Sequence, residues 1–410
     1  MTDRGTVHVM AIADSDSYLK WAAGLLDALP EEWSGELAVV RTPIAPSPSQ
    51  MRAAVQGTRT GATLPPVLSA TALRRAVRRV RPDAVVAACT GPVVDVLVND
   101  LLSGLAPRPV LVSGLPGVSV PATEQAWRYR APVDLFVLHS HREVAEFREL
   151  GARLGVTGEV GLATLPFLAA DPVPAPDGPR NRVVFATQAK VPVEREERES
   201  ILCALADLAA RRPDLEVVVK LRARAHEQQT HRERHHFETL WHGLAAAGRV
   251  PADAVSFADG SMREHLARAA GFVTVSSTAA LEAIAQDVPL LILSDFGVSA
   301  EMINLVFEGS GLLGTLDDLR AARFRTPDGQ WCAANYFHGT ADNDWVRRLS
   351  DLVERARHGG LPVRPPLLAS SADRARRRRN RLRMDVPPRA LRTIGRFRRR
   401  LKRIRRLASR

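Results

Sequence analysis

Short runs of Val, Ile, Leu and Ala alternate along this chain with longer stretches in which apolar residues return every three or four positions. In the first half the runs fall at 7–13, 37–41, 83–88, 109–113 and 134–139. They are apolar at nearly every position, the pattern of strands buried on both faces in parallel sheets. Between them the helical period predicts helices over 18–29, 72–81, 93–102 and 141–150. "DPVPAPDGPR" (171–180) has four prolines and no periodic apolar pattern, so it reads as a linker. The alternation then restarts, with strands predicted at 182–187, 215–220, 254–257, 271–275 and 290–293, and helices over 194–212, 235–247, 261–269 and 278–286. One more amphipathic helix is predicted over 345–360. Ser140 and Ser261, each followed three residues later by glutamate, match the capping box. Two sets of βα units predict an α/β protein of two doubly wound parallel-sheet domains facing a cleft. The expected divisions are 1–170, a linker at 171–181, a second domain at 182–360, and a Pro-containing linker and basic tail at 361–410.

Composition agrees and sharpens this picture. A chain of 410 residues suits two domains, and 45% apolar residues can fill two cores. Cys89, Cys203 and Cys332 are far apart, which indicates neither a disulfide framework nor a zinc cluster and fits a reducing cytoplasm. No signal peptide and no apolar run long enough to span a membrane is apparent. The net charge of +12 is unevenly placed. Residues 373–410 hold 18 of the 57 basic residues and 2 of the 45 acidic ones, leaving 39 and 43 for the rest. The body is therefore slightly acidic and the basicity belongs to the tail. Specific nucleic-acid binding is not expected, since it calls for basic residues over a folded face. Within the tail Leu391, Ile394, Phe397, Leu401, Ile404 and Leu407 fall on one helical face among arginines. That is the pattern of a basic amphipathic helix in an anionic membrane interface. A disordered tail, or one that binds nucleic acid without specificity, is the alternative.

Candidate chemistry follows from one rule: in open α/β sheets, ligands bind beyond the carboxyl ends of the strands. After the strand at 271–275 come Ser276, Ser277 and Thr278, then a helix with Glu282 one turn in. Unpaired N–H groups and small hydroxyl side chains there suit a phosphate, with Glu282 near a sugar hydroxyl. The alternative is a simple helix cap. After the strand at 215–220 come Lys220, Arg222, Arg224 and His226, cations for a diphosphate or carboxylate, or else a solvated basic loop. The first strand leads into Asp14-Ser15-Asp16-Ser17, where Asp14 or Asp16 is a candidate general base, the alternative being that Asp16 or Ser17 simply caps the helix. Weaker candidates are Thr90 and Gly91, the loop 113–123, and Asp295, Glu301 and Asn304. His231 and His235 are spaced four apart with no third ligand evident, so no metal site is expected. No G-x-G-x-x-G, Walker A or G-x-S-x-G motif occurs.

"VSSTAALEAIAQDVPLLIL" (275–293) resembles the donor-site segment of the GT-B glycosyltransferase superfamily. It joins a strand, a small hydroxyl turn, a helix with a glutamate and a strand led by Val-Pro. The paired hydroxyls are similar to those of transferases using CMP-activated acidic sugars and of capsule-type transferases. The whole also looks like a group of uncharacterised glycosyltransferases of high-GC bacteria. There are departures: relatives carry a His-Pro or Lys-Pro-His-Pro element where this chain reads "VVVKLRARAH", in which only Lys220 matches directly, and a glycine where Asp287 stands. The resemblance implies a GT-B-like fold with Ser276, Ser277, Thr278 and Glu282 at the donor phosphate and ribose, backed by Lys220 and Arg222, and with Asp295 and Glu301 near the sugar. It implies a glycosyltransferase without cofactor or metal, its donor a nucleotide-sugar substrate, its acceptor hydroxyl deprotonated by Asp14 or Asp16. Joined to the tail, it suggests a glycan or lipid-linked acceptor in polysaccharide synthesis, with the enzyme peripheral to the cytoplasmic membrane face. A sugar-nucleotide 2-epimerase of the same fold and a non-catalytic GT-B-like binding module are the rivals.

Overall fold

The apolar runs pair into two all-parallel sheets in a computed structural model that describes residues 6–168, 178–221 and 233–386. The first sheet comprises β1 (His8–Ala13), β2 (Ser34–Val40), β3 (Val67–Leu68), β4 (Ala84–Ala88), β5 (Val110–Gly114), β6 (Leu135–Leu138) and β7 (Glu159–Leu162). The second comprises β8 (Arg182–Ala186), β9 (Glu216–Lys220), β10 (Ser256–Ala258), β11 (Ala269–Thr274), β12 (Leu290–Leu293) and β13 (Leu313–Gly314). The orders are β3-β2-β1-β4-β5-β6-β7 and β10-β9-β8-β11-β12-β13. Each reverses once, between β1 and β4 and between β8 and β11, which makes both sheets doubly wound. In both, the diverging strands end at the same level: Ala13 pairs with Ala88, and Ala186 with Thr274.

All ten expected strands are present. β3 and β13 are two residues long and β7 four, too short to show a period. The helix expected over 93–102 is a helical turn, Gly91–Val96, running into a π-helical turn, Leu97–Leu101. Ser140 caps its helix through the Glu143 N–H (3.0 Å), but the Glu143 carboxylate is taken elsewhere, and Ser261 makes no side-chain cap bond.

The sequence division at 182–360 counts the helix Trp345–Arg357 with the second sheet. Its apolar face lies instead on the first: Trp345, Leu349, Leu352 and Val353 share a core with Val9, Ala11 and Val112. The Asp344 carboxylate ahead of it accepts the Leu162 N–H at 2.8 Å. Amphipathic spacing shows which residues of a helix are buried, not which sheet buries them. The stretch read as linker and tail also holds a folded helix, Ser371–Asp385, opened by a capping box between Ser370 and Asp373. It docks on the first unit through Arg377 to Asp95 (2.7 Å), Arg381 to Asp100 and buried Met384. The first unit is therefore 6–168 together with 345–386. The two units also interlock at the loop after β5, whose Val120 is buried in the second unit's core. No helix among the described residues is long and apolar enough to cross a membrane.

Candidate functional site

The switch point of the second sheet is stitched together by side chains from its own strands. The Thr274 hydroxyl donates to Ala186 O (2.9 Å) and accepts the Ser277 N–H (3.2 Å). Gln188, just past β8, donates to Ser276 O at 3.1 Å. The Thr187 N–H and hydroxyl both donate to Lys220 O, at 3.1 and 3.2 Å. Three adjacent strand ends are thereby held in register around a cavity of about 290 Å³. Thr187, Gln188, Lys190, Lys220, Ser277 and Thr278 line its polar side, and Met262 and Ile303 its apolar side.

The three hydroxyls of the turn divide their work. Ser277 Oγ accepts the Ala279 N–H (3.2 Å), closing a tight turn just ahead of the helix. Ser276 Oγ is buried without a partner. Thr278 is exposed, and neither its N–H nor its hydroxyl is hydrogen-bonded among the described residues. The capping position of the helix falls on Thr278 rather than on Ser276 or Ser277, and the Thr278 side chain makes no cap bond and is open to the cavity. Lys220 is buried and its ammonium donates to Leu221 O at 2.7 Å. Burial raises the pKa of Glu282, and Lys20 and Lys220 pull it back down. Lys20 belongs to the first unit, so the cleft edges approach each other here. A side chain on Gly117, in the loop after β5, would meet Thr278 at 3.2 Å.

At the first sheet's switch point the two candidate acids occupy different environments. Asp14 has no exposed surface. Its Oδ2 accepts the Thr90 N–H (3.0 Å) and hydroxyl, Oδ1 has no partner, and burial raises its pKa. It joins the ends of β1 and β4. Beside it Arg130, also buried, donates to Ser113 Oγ, Tyr18 OH and Cys89 O at 3.0–3.1 Å. Asp16 is open, its side chain 34% exposed and 3.8 Å from Lys20.

Other candidates stand apart from the cavity. The Asp295 carboxylate accepts the Leu316 N–H (3.0 Å), and Glu301 is fully exposed; neither lines the cavity. Asn304 is buried and pins the loop around Ile303 through Gly297 O and the Ser299 N–H. Arg222, Arg224, His226, His231 and the apolar positions of the tail, Leu391 to Leu407, lie outside the described residues. Among the described residues no group of His, Cys, Asp and Glu has a metal-binding arrangement.

Sequence reasoning missed Gln188, Lys190, Met262, Ile303 and the buried Arg198. Arg198 donates to Gln188 O, Ala189 O and Pro192 O (2.8–3.2 Å) and pairs with Glu233, bracing the loops on one side of the cavity. The strand-end rule applied to 182–187 would have selected Gln188 and Lys190. A second cavity, about 330 Å³, lies at the start of β7, away from both switch points. Its Arg148 and Arg348 are occupied by Val160 O, Asp344 and Glu159.

Two doubly wound sheets with a cavity at the second switch point define a GT-B-like protein. The chain belongs to the family described as "Putative glycosyltransferase (DUF6716)", whose model matches residues 9–352. No curated protein matches it in sequence. Among solved structures it is similar to a UDP-GlcNAc 2-epimerase from Methanocaldococcus jannaschii, at 10% identity over 85% of this chain and 100% of that one, TM-score 0.54. The UDP-GlcNAc 2-epimerase from Neisseria meningitidis bound to UDP-GlcNAc gives 10%, 86%, 100% and 0.52. The S. aureus MnaA–UDP co-structure gives 12%, 88%, 99% and 0.51. These likenesses concern the fold. The family makes the chain a glycosyltransferase-class enzyme.

Proposed function

We propose that this protein transfers a sugar from a nucleotide-sugar donor to a hydroxyl of a glycan or lipid-linked acceptor, at the cytoplasmic face of a membrane that its basic tail binds. One observation carries the donor half: the cavity at the β8/β11 switch point joins open Thr278 to Lys220 and Lys190. Two ammonium groups and an N–H–hydroxyl pair suit a diphosphate whose charge grows as the glycosidic bond breaks. Those cations take the part a metal would otherwise play, so activity should survive EDTA. Glu282 does not line the cavity itself, and we assign it to a sugar hydroxyl on the strength of its place one turn into the helix and its attraction to Lys20 and Lys220. On the acceptor side we take Asp16 as the base, because its side chain is partly exposed and Asp14 is sealed. Asp14 instead fixes the turn from which Asp16 projects.

Calorimetric titration with UDP-, GDP-, CMP- and CDP-activated sugars tests the donor site. Binding of at least one is expected, weakened tenfold or more by Lys220→Ala, since a hydrogen bond to a charged group is worth about 1.5–3 kcal/mol. Absence of binding to all four overturns the proposal. Conversion of a bound UDP-sugar to its 2-epimer without acceptor would move the assignment to an epimerase.

A further inference from the structure

The helix Ser371–Asp385 has two unlike faces. Its inner face is committed to the fold: Arg377 and Arg381 pair with Asp95 and Asp100, Met384 is buried, and Asp385 accepts the Thr71 N–H at 2.8 Å. Its outer face carries Arg374, Arg378, Arg379 and Arg383, all exposed. It packs beside the helix Ala70–Val80, whose Arg75, Arg78 and Arg79 are exposed as well. Arg74 donates to Asp100 O and Leu101 O, so Asp100 ties the two helices together. Together they hold eleven arginines and two acids, Asp373 and Asp385, both already hydrogen-bonded. Arg75, Arg78, Arg79, Arg378, Arg379 and Arg383 make no ion pair with any described residue. Like charges held this close repel one another, and an anionic surface would relieve that.

We propose that this two-helix arginine face docks on an anionic lipid bilayer. The inference deepens the peripheral-membrane reading above, and rests on it, by assigning a contact to the folded body as well as to the tail. Exposed apolar residues favour lipid as the occupant. Leu382 is 56% exposed among the outer arginines, and Leu64 and Val67, each 42% exposed, lie just before the second helix. A headgroup interface accepts apolar side chains among cations. Neither helix has an aromatic residue on which a nucleic-acid base could stack. The basic segment 387–410 follows this helix in the sequence.

The test uses the full chain and sedimentation with phosphatidylcholine vesicles containing or lacking 30% phosphatidylglycerol. The probe variant is Arg75→Gln with Arg78→Gln and Arg79→Gln, side chains with no ion pair among the described residues. A basic residue at an anionic leaflet is worth roughly a fivefold gain in partitioning, so the triple variant should lose between about tenfold and 100-fold. Arg378→Gln with Arg379→Gln should lose partitioning likewise, and Arg211→Gln, exposed on the second unit, should not. Unchanged partitioning in both face variants overturns the proposal, as does a loss matched by Arg211→Gln. Duplex-DNA binding that falls in the face variants while vesicle binding holds also overturns it. Deletion of 387–410 separates the two contacts. If the deletion alone removes all binding, the face fails and the tail reading stands; if only the face variants lose binding, the tail reading fails and the face stands.

Discussion

Where the two units meet, two buried titratable residues four positions apart have opposite pH dependences. His139 is fully buried, hydrogen-bonded through Nδ1 to Ala163 O (2.8 Å) and through Nε2 to the Trp21 indole N–H (2.7 Å). The indole can only donate, so Nε2 must accept, and a second proton would break that bond. Burial drives its pKa down to about 4. Glu143 is also fully buried; its carboxylate accepts the His139 and Ser119 N–H groups and the Tyr336 hydroxyl of the second unit. Burial pushes it up to about 7 despite those bonds. For Glu143 the folded state keeps a proton that the unfolded chain has lost, so stability falls as pH rises from about 4.5 to 7. For His139 the unfolded chain binds the extra proton, so stability falls as pH drops from about 6.5 to 4. Each shift is worth about 3 kcal/mol in full, at roughly 1.4 kcal/mol per pH unit. Over pH 4.5–6.5 the two slopes oppose and nearly cancel. Glu143→Gln removes one of them and exposes the other. The stability gap between wild type and this variant should therefore shrink by about 3 kcal/mol from pH 4.5 to 7. Urea unfolding at half-unit steps, followed by tryptophan fluorescence, measures that gap. His139→Gln should give a gap that changes the opposite way. Parallel profiles for wild type and Glu143→Gln over this range would refute the argument, because they would mean that Glu143 ionises as an ordinary surface carboxylate.

Further outcomes follow from the site. Asp16→Asn should lower kcat by about 10²- to 10⁴-fold with little change in melting temperature, as expected for a lost general base. Asp14→Asn should act mainly on stability, because Oδ2 holds Thr90; equal kcat losses in the two variants would contradict their division of roles. Ile303 has φ of 59°, a left-handed backbone rare for a β-branched residue, and lines the donor cavity. Ile303→Gly should relieve about 1 kcal/mol of strain and raise the melting temperature while weakening nucleotide-sugar binding several-fold. A lower melting temperature with unchanged affinity would make Ile303 merely structural. Arg198→Met should destabilise the second unit by about 3–5 kcal/mol, since it removes the buried cation that pairs with Glu233 and holds Gln188 O, Ala189 O and Pro192 O; denaturant unfolding checks this.

Ten of the thirteen strands were legible because both sheets are buried on both faces at their centres, where β4, β5, β6 and β12 are wholly buried and almost wholly apolar. What the chain does between runs was less so. The helices Trp345–Arg357 and Ser371–Asp385 show their buried positions in sequence, yet the sheet residues Val9, Ala11 and Val112 that cover the first, and the acids Asp95 and Asp100 that hold the second, lie some 230 to 340 positions upstream. The arginines of 371–385 counted as tail charge, because spacing alone does not separate Arg377 and Arg381, which face inward, from Arg378 and Arg379, which face out.

The site divides along the same line. Ser276-Ser277-Thr278 and Lys220 were selected by position, since the carboxyl end of a strand is a local property of the sequence. The roles of single atoms were not local. Ser277 is occupied because the Ala279 N–H lies within its reach, and Thr278 has no hydrogen-bond partner for its N–H or hydroxyl among the described residues. Asp14 and Asp16 look alike in sequence. They differ because Thr90, arriving from β4 on the far side of the switch point, closes over one and not the other. A switch point brings together strand ends that are distant in the chain. It is therefore where position is easiest to read from the sequence, and where the division of labour among neighbouring side chains is hardest.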